Sequence, residues 1–218
     1  MRAVRVKNTE EKIWPTKIIC LARTYRKHAE EMKSELPTEP VLFLKPPSAL
    51  IHSGEKIVIP EASSNVHHEG ELSVVMGKKG RNISKEKAYD HVRGYAAFLD
   101  ITARDIQSKA KEKRHPWSVS KGFDTFAPIS DIVPKEEVED PHTLDIELRL
   151  NGQIKQQSST SYMIFTVDEI IAYISKIMTL ERGDIIATGT PEGVGRITRG
   201  DTVTLEIEQV GRLENKVV

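Results

Sequence analysis

Apolar residues along this chain fall in short clusters separated by proline, glycine and charged residues, and few recur at helical spacing. Residues 3–6, 18–21, 41–44 and 56–59 each read as a strand, because a brief apolar run bounded by turn residues suits a pleated surface. Pro37, Pro40, Pro46 and Pro47 break the chain around the third of these, and Pro60 stops the fourth. Residues 72–76, closed by Gly77, and residues 94–99 are further strands. Leu144, Ile146, Leu148 and Leu150 alternate onto one face, and the Asn151-Gly152 pair that follows is the strongest hairpin signal in the chain. Helical signals are fewer. Residues from about 25 to 32 favour a helix by propensity, residues 84–89 form a short one with Ser84 as its cap, and residues 103–113 a polar one. Thr166 and Glu169 form a capping box that opens an amphipathic helix over 170–178. Many short strands with a few helices predict a β-rich α+β domain rather than a parallel α/β one.

A chain of 218 residues buries one sizeable core, so a single domain over 1–218 is expected. Lys plus Arg equals Asp plus Glu, at 32 each, which gives no general attraction to nucleic acid or membrane. The single cysteine, Cys20, excludes an intrachain disulfide and fits a reducing compartment. Inside the apolar run around it, it reads as a buried small hydrophobe rather than a nucleophile. The first residues lack the apolar core of a signal peptide, and no apolar run reaches membrane-spanning length. A cytoplasmic location is the expectation. Two Arg-Gly-Asp triplets, at 182–184 and 199–201, read as turns that feed strands.

Glu69 and Glu71 are two apart, so on a strand they point the same way. Asp100 ends the apolar run of the next long strand. Three carboxylates without thiols are hard oxygen donors, which suit Mg2+ or Mn2+. Such a site is negative, so an anionic substrate needs added positive charge. Lys121, set among small residues, can supply it, and Arg104 and Gln107 lie three apart on the helix after Asp100. His28 and Glu31 are helix neighbours, in which a carboxylate can orient an imidazole as a general base. His67 and His68 face opposite ways, so at most one reaches the metal, and both read as structural. The glycine-rich stretch 189–195 has neither P-loop nor dinucleotide spacing, but its amides and the Thr190 hydroxyl can hold a carboxylate. Taken singly, each of these also fits a bland role. A Glu-x-Glu pair is most often a solvated strand end, and a His–Glu helix pair a surface pair. The site is expected to be a surface-lined cleft, so that Asp100→Ala abolishes metal binding and leaves the fold near intact.

Together the segments Tyr25-x-x-His28, Lys45-Pro46, Glu69-x-Glu71-Leu72, Leu99-Asp100-x-Thr102-Ala103-Arg104-Asp105-x-Gln107, Lys121-Gly122-Phe123-Asp124 and Thr188-Gly189-Thr190-Pro191-x-Gly193-Val194-Gly195 resemble the fumarylacetoacetate hydrolase family. The resemblance spans residues from about 18 to 208. It implies a mixed β-roll catalytic domain with a few peripheral helices, a homodimer, and Mg2+ or Mn2+ bound by Glu69, Glu71 and Asp100. It further implies that His28 and Glu31 activate water from a mobile segment at about 23–36, and that Lys121, Gln107, Arg104 and Thr190 contact a small anionic 2-oxo acid. The His67-His68-Glu69 stretch, the His28/Glu31 spacing, His115-Pro116-Trp117 and Met163-Ile164-Phe165 look most like the short acylpyruvate hydrolase and oxaloacetate decarboxylase branch. Ala22 and Thr24 depart from the glycine and asparagine frequent in the family, and the N-terminal extension is reduced to about residues 1–15. The implied activity is metal-dependent hydrolysis of a C–C bond in a short acylpyruvate, with oxaloacetate decarboxylation beside it. The alternatives are an isomerase or decarboxylase of 2-hydroxy-diene dioates and a non-catalytic carboxylate-binding protein.

Overall fold

The computed structural model describes residues 2–31 and 35–218. Its centre is the strand Gly70–Met76, every residue of which is buried. Val92–Leu99 pairs antiparallel with it on one side, with Leu72 opposite Ala97 and Val74 opposite Tyr95. On the other side runs Ile185–Ala187, also antiparallel, with Ile186 opposite Val74. The central strand is apolar on both faces because both are covered. Leu72, Val74 and Met76 pack with Leu148, Leu205 and Leu213 in the larger core. Val75 points the opposite way, into a second core with Ile18, Cys20, Ala96, Phe98, Ile129 and Ile185. This side is the one that Glu69, Glu71 and Ser73 share by alternation.

The large sheet has eight strands. In order they are Val41–Lys45, Ile18–Ala22, Ile185–Ala187, Gly70–Met76, Val92–Leu99, Ala127–Ile129 and Leu50–His52, with Val133–Pro134 also on Val92–Leu99. It is mixed: Ile185–Ala187 runs parallel to Ile18–Ala22, and Ala127–Ile129 parallel to Leu50–His52. The sheet curls into a half-barrel, and Val4, Val6 and Ile13 from the N-terminal hairpin pack into the core on its second face. A five-stranded sheet covers the first face, in the order Gln153–Ser159, Asp145–Leu150, Thr202–Ile207, Gly211–Val217 and Lys56–Ile57. Asn151 and Gly152 make its hairpin turn with φ of 51° and 79°, the left-handed pair that this dipeptide favours. The β-rich α+β roll expected for the chain is the fold observed.

Among the helices, Val167–Ile177 opens on the Thr166/Glu169 box and buries Ile170, Ile171 and Ile174 against the larger core. Arg104–Glu112 matches the expected polar helix. Residues 84–89 differ: Ser84 makes no side-chain cap bond, and the chain winds into a 3-10 helix over Lys85–His91. Both Arg-Gly-Asp triplets are turns, with φ of 95° at Gly183 and 98° at Gly200. Cys20 is fully buried, and burial pushes its thiol well above the ordinary value.

Candidate active site

The chain turns a corner at Glu69. Val66–His68 belongs to a three-stranded sheet with Thr102–Ala103 and Gly195–Ile197, and the next strand, Gly70–Met76, to the large one. Glu69 therefore lies between two strands rather than within one, and its carbonyl accepts from the Asp100 amide at 2.9 Å. This bond ties the two carboxylate-bearing corners together. Oxygens of Glu69, Glu71 and Asp100 lie within 4.8 Å of one another, and all three side chains are buried. The site is thus not the open cleft expected from the sequence; Asp100 is 0% exposed, because the sheet curls around it.

Three cations neutralise this cluster. Lys121, on the short helix Ser118–Lys121, donates to Glu69 Oε2 at 2.9 Å and also to Asp100 Oδ2. Lys45 donates to Asp100 Oδ1 at 2.6 Å and to the Ile101 carbonyl at 2.9 Å. Arg104 donates to Glu69 Oε1 and, at 2.7 Å, to Gln107 Oε1. Burial opposes charge on Lys121, but Asp100 and Glu69 outweigh it and hold the ammonium above its ordinary value. For Glu69, burial again opposes ionisation, and Lys121 and Arg104 outweigh it, so its carboxyl sits well below the ordinary range. Glu71 is the opposite case. Burial, then the Asp100 and Glu69 charges, push its carboxyl well up. Its Oε2 accepts from the Gly189 amide at 2.8 Å, and among the described residues it has no ion pair. A buried cluster of three hard oxygen donors, one of them short of positive charge, fits a divalent cation of the Mg2+ or Mn2+ kind.

A cavity of about 390 Å3 opens over the cluster. Its walls include His28, Glu69, Glu71, Arg104, Gln107, Lys121 and Thr190. His28 comes from the helix Arg26–Glu31, and its Nδ1 lies 3.2 Å from Glu31 Oε2. Glu31 stands outside the wall and is itself held by the Gly193 amide at 3.2 Å. The structure therefore brings every sequence-derived site residue to this cavity or to a wall residue's side. The expected few-anchored lid begins with firm contacts: Tyr25 and Ala29 are buried, and the Thr24 hydroxyl donates to the Thr188 carbonyl at 2.7 Å. Within the expected segment 23–36, residues 32–34 lie outside the described residues.

Some details differ from the sequence reading. The Gly189 and Gly193 amides hold the protein's own Glu71 and Glu31 rather than pointing free for a ligand. Thr190 donates to the Gly70 carbonyl at 2.9 Å and accepts from Gln156 at 2.8 Å, so its hydroxyl proton is committed. His67 and His68 stand apart from the carboxylate cluster. Burial lowers each to about 4, and His67 Nε2 lies 3.0 Å from Asn65 Oδ1. Lys45, Gln156 and the cavity-lining Arg23 and Lys111 were not picked out as site residues. Lys45 alone had a signal: it stands in the Lys45-Pro46 segment that carries part of the family resemblance, at the end of the apolar run Val41-Leu42-Phe43-Leu44.

Known proteins share this architecture. An uncharacterised protein of Pyrococcus abyssi is 56% identical over 205 residues, covering 94% of this chain and 91% of its own. The mitochondrial oxaloacetate tautomerase of Bos taurus is 48% identical over 204 residues, covering 94% of this chain and 92% of its own. The crystal structure of fumarylpyruvate hydrolase from Pseudomonas aeruginosa, in complex with Mn2+ and pyruvate, superposes with a TM-score of 0.95 at 35% identity, covering 100% of this chain and 95% of that one. Residues 17–218 match the family model described as fumarylacetoacetate (FAA) hydrolase C-terminal, and the chain belongs to the fumarylacetoacetate hydrolase family.

Proposed function

We propose that the protein hydrolyses a C–C bond in a short acylpyruvate-type 2-oxo acid, using Mg2+ or Mn2+ held by Glu69, Glu71 and Asp100. The observation that carries this reading is that His28, braced by Glu31, lines the same cavity as the carboxylate cluster and Lys121. When bound, the cation supplies Lewis acidity toward the substrate's 2-oxo and carboxylate oxygens. The chain's residues do the rest. Arg104 and Gln107 orient the acid against the cluster, and Thr190, its hydroxyl proton held by the Gly70 carbonyl, shapes the wall beside them. Lys121, kept charged by its two carboxylates, offsets negative charge as the pyruvate half departs as an enolate. Glu31 fixes the His28 imidazole, which takes a proton from water as that water adds to the distal carbonyl. The proton then serves the departing carbon.

A second reading is enol chemistry on oxaloacetate, by tautomerisation or decarboxylation, and the 48% identity to the oxaloacetate tautomerase of Bos taurus favours it. It needs the same cation and Lys121 but no attacking water. The two separate in a side-by-side assay, with Mn2+ and with Mg2+, of acetylpyruvate, oxaloacetate and a 2-hydroxy-diene dioate. Metal-dependent release of acetate and pyruvate from acetylpyruvate is the expected result; turnover of oxaloacetate alone would replace the first reading with the second.

We also propose a homodimer. Leu44, on the edge strand Val41–Lys45, and Val119, on the helix packed against that strand, are 49% and 65% exposed, an apolar edge for a second copy to cover. Among the described residues no helix is long and apolar enough to cross a membrane.

A further inference from the structure

Four cations line the cavity: Arg23, Arg104, Lys111 and Lys121. Arg104 and Lys121 are consumed by Glu69 and Asp100. Arg23 and Lys111 are not. Among the described residues neither has an acidic partner, although acidic side chains are as numerous as basic ones in this chain. Arg23 Nε is buried without a hydrogen-bond partner, a rare state for a charged donor and one that calls for a missing acceptor. Its backbone supports the same view. Arg23 directly follows the strand Ile18–Ala22 and holds φ of 60°, a left-handed conformation unfavourable for a residue with a side chain.

Lys111, in the last turn of the helix Arg104–Glu112, is exposed, with its ammonium 5.3 Å from the centre of the Trp117 ring. Burial of its head group, and then Arg104, lower its ordinary pKa, and Arg23 contributes in the same direction. The two unpaired cations line the same cavity, and each disfavours the other's charge. Trp117 and Phe43, whose rings lie 5.7 Å apart, line the cavity with apolar surface. The cavity is thus bipolar: a carboxylate cluster suited to a cation, an aromatic wall, and two wall cations without carboxylate partners.

We propose that Arg23 and Lys111 bind the carboxylate at the far end of a 2-oxo dicarboxylate, and so select dianionic substrates over those ending in an uncharged acyl group. This rests on the cation-bound 2-oxo acid common to both functional readings above, since the near end of the acid must sit at the base, and it ranks acetylpyruvate, with its uncharged far end, below a dianionic substrate of the same site. Arg23 supplies a planar fork matched to a carboxylate, and Lys111 a second charge from the helix Arg104–Glu112. Both are specificity residues; neither takes part in moving a proton.

The test is calorimetry on Mn2+-loaded protein with two matched pairs of acids that differ at the far end: 2-oxoglutarate against 2-oxopentanoate, and 2-oxoadipate against 2-oxohexanoate. For at least one pair, the dianion should bind the wild type about tenfold or more tightly than its partner, as a charge-assisted hydrogen bond predicts. Arg23→Gln and Lys111→Gln should each shrink that ratio, the double variant should bring it near one, and Arg23→Lys should restore part of it. Added salt should shrink it as well. Thermal unfolding of each variant separates loss of selectivity from loss of fold, because misfolding alone lowers both affinities together. Equal affinities within both pairs, with all four acids bound, would overturn this inference and leave the functional reading standing. If Mn2+-loaded protein binds none of the four acids nor oxalate, both fall together.

Discussion

Lys45 donates to Asp100 at 2.6 Å with both side chains closed off from solvent, so this pair belongs to the core as much as to the site. Removing one member of a buried ion pair leaves the other uncompensated, which typically costs about 3–5 kcal/mol. Asp100→Ala should therefore lose stability on that scale in urea unfolding of the metal-free protein. A loss under about 1 kcal/mol would mean that Lys45 finds another partner at little cost.

Glu71 behaves in the reverse sense. Its carboxyl is raised in the folded protein, so the stability it allows in metal-free protein is present below the ordinary carboxylate range and is lost as pH climbs through the raised value. A bound cation must displace that proton. The increase in Tm on adding Mg2+ or Mn2+ should accordingly be larger at pH 8 than at pH 5.5. Glu71→Gln should lose the metal response while leaving metal-free stability equal or higher. A metal response that is flat across this range would contradict the assignment.

Hydrolysis and simpler enol chemistry part at His28. General-base catalysis is typically worth about 10²–10⁴-fold. His28→Ala and Glu31→Ala should each reduce acetylpyruvate hydrolysis by roughly that factor, with Mn2+ affinity unchanged, while oxaloacetate turnover falls much less. Lys121→Ala should damage both reactions. Wild-type hydrolysis by the His28 variant would remove the dyad from the mechanism and leave the oxaloacetate reading in front.

Gly189 joins the metal cluster to the His28 segment. Its amide holds Glu71, its φ is 97°, and a Cβ there would sit 1.9 Å from the Thr24 hydroxyl oxygen. Gly189→Ala should therefore displace both partners at once. Expected are a loss of about 1–3 kcal/mol from backbone strain alone, weakened Mn2+ binding, and faster amide exchange over Arg26–Glu31. Unchanged exchange in that helix would show that Thr24 adjusts without disturbing it.

Much of this was legible in the sequence, for identifiable reasons. The hairpin at Asn151-Gly152 and the box at Thr166/Glu169 are local chemistry, set by residues close together in the chain, and both appear as read. The strands around Leu72–Met76 and Gly94–Leu99 announce themselves because apolar runs buried on two faces need no partner information. The carboxylates could be paired by alternation and by the resemblance. Their depth could not, because burial of Asp100 depends on how an eight-stranded sheet curls. Arg23 and Lys111 were hidden differently: each stands in a charge-rich segment, where a cation without a partner looks the same as one with a partner. The glycine-rich amides were misread for the same reason, since Glu71 and Glu31 lie far from them in sequence.

The parallel pairing of Ile185–Ala187 with Ile18–Ala22 has a consequence during synthesis. Both strands deliver wall segments of the cavity, and one lies near the start of the chain and the other near its end. Until the ribosome has released residues beyond about 190, Ile18–Ala22 lacks that neighbour, Glu71 lacks the Gly189 amide and Glu31 lacks the Gly193 amide. Such distant pairings form slowly, and the exposed strand edges invite aggregation in the meantime. A nascent chain thus carries its acidic cluster unsealed for most of its translation, and the site closes only as a finishing step of folding.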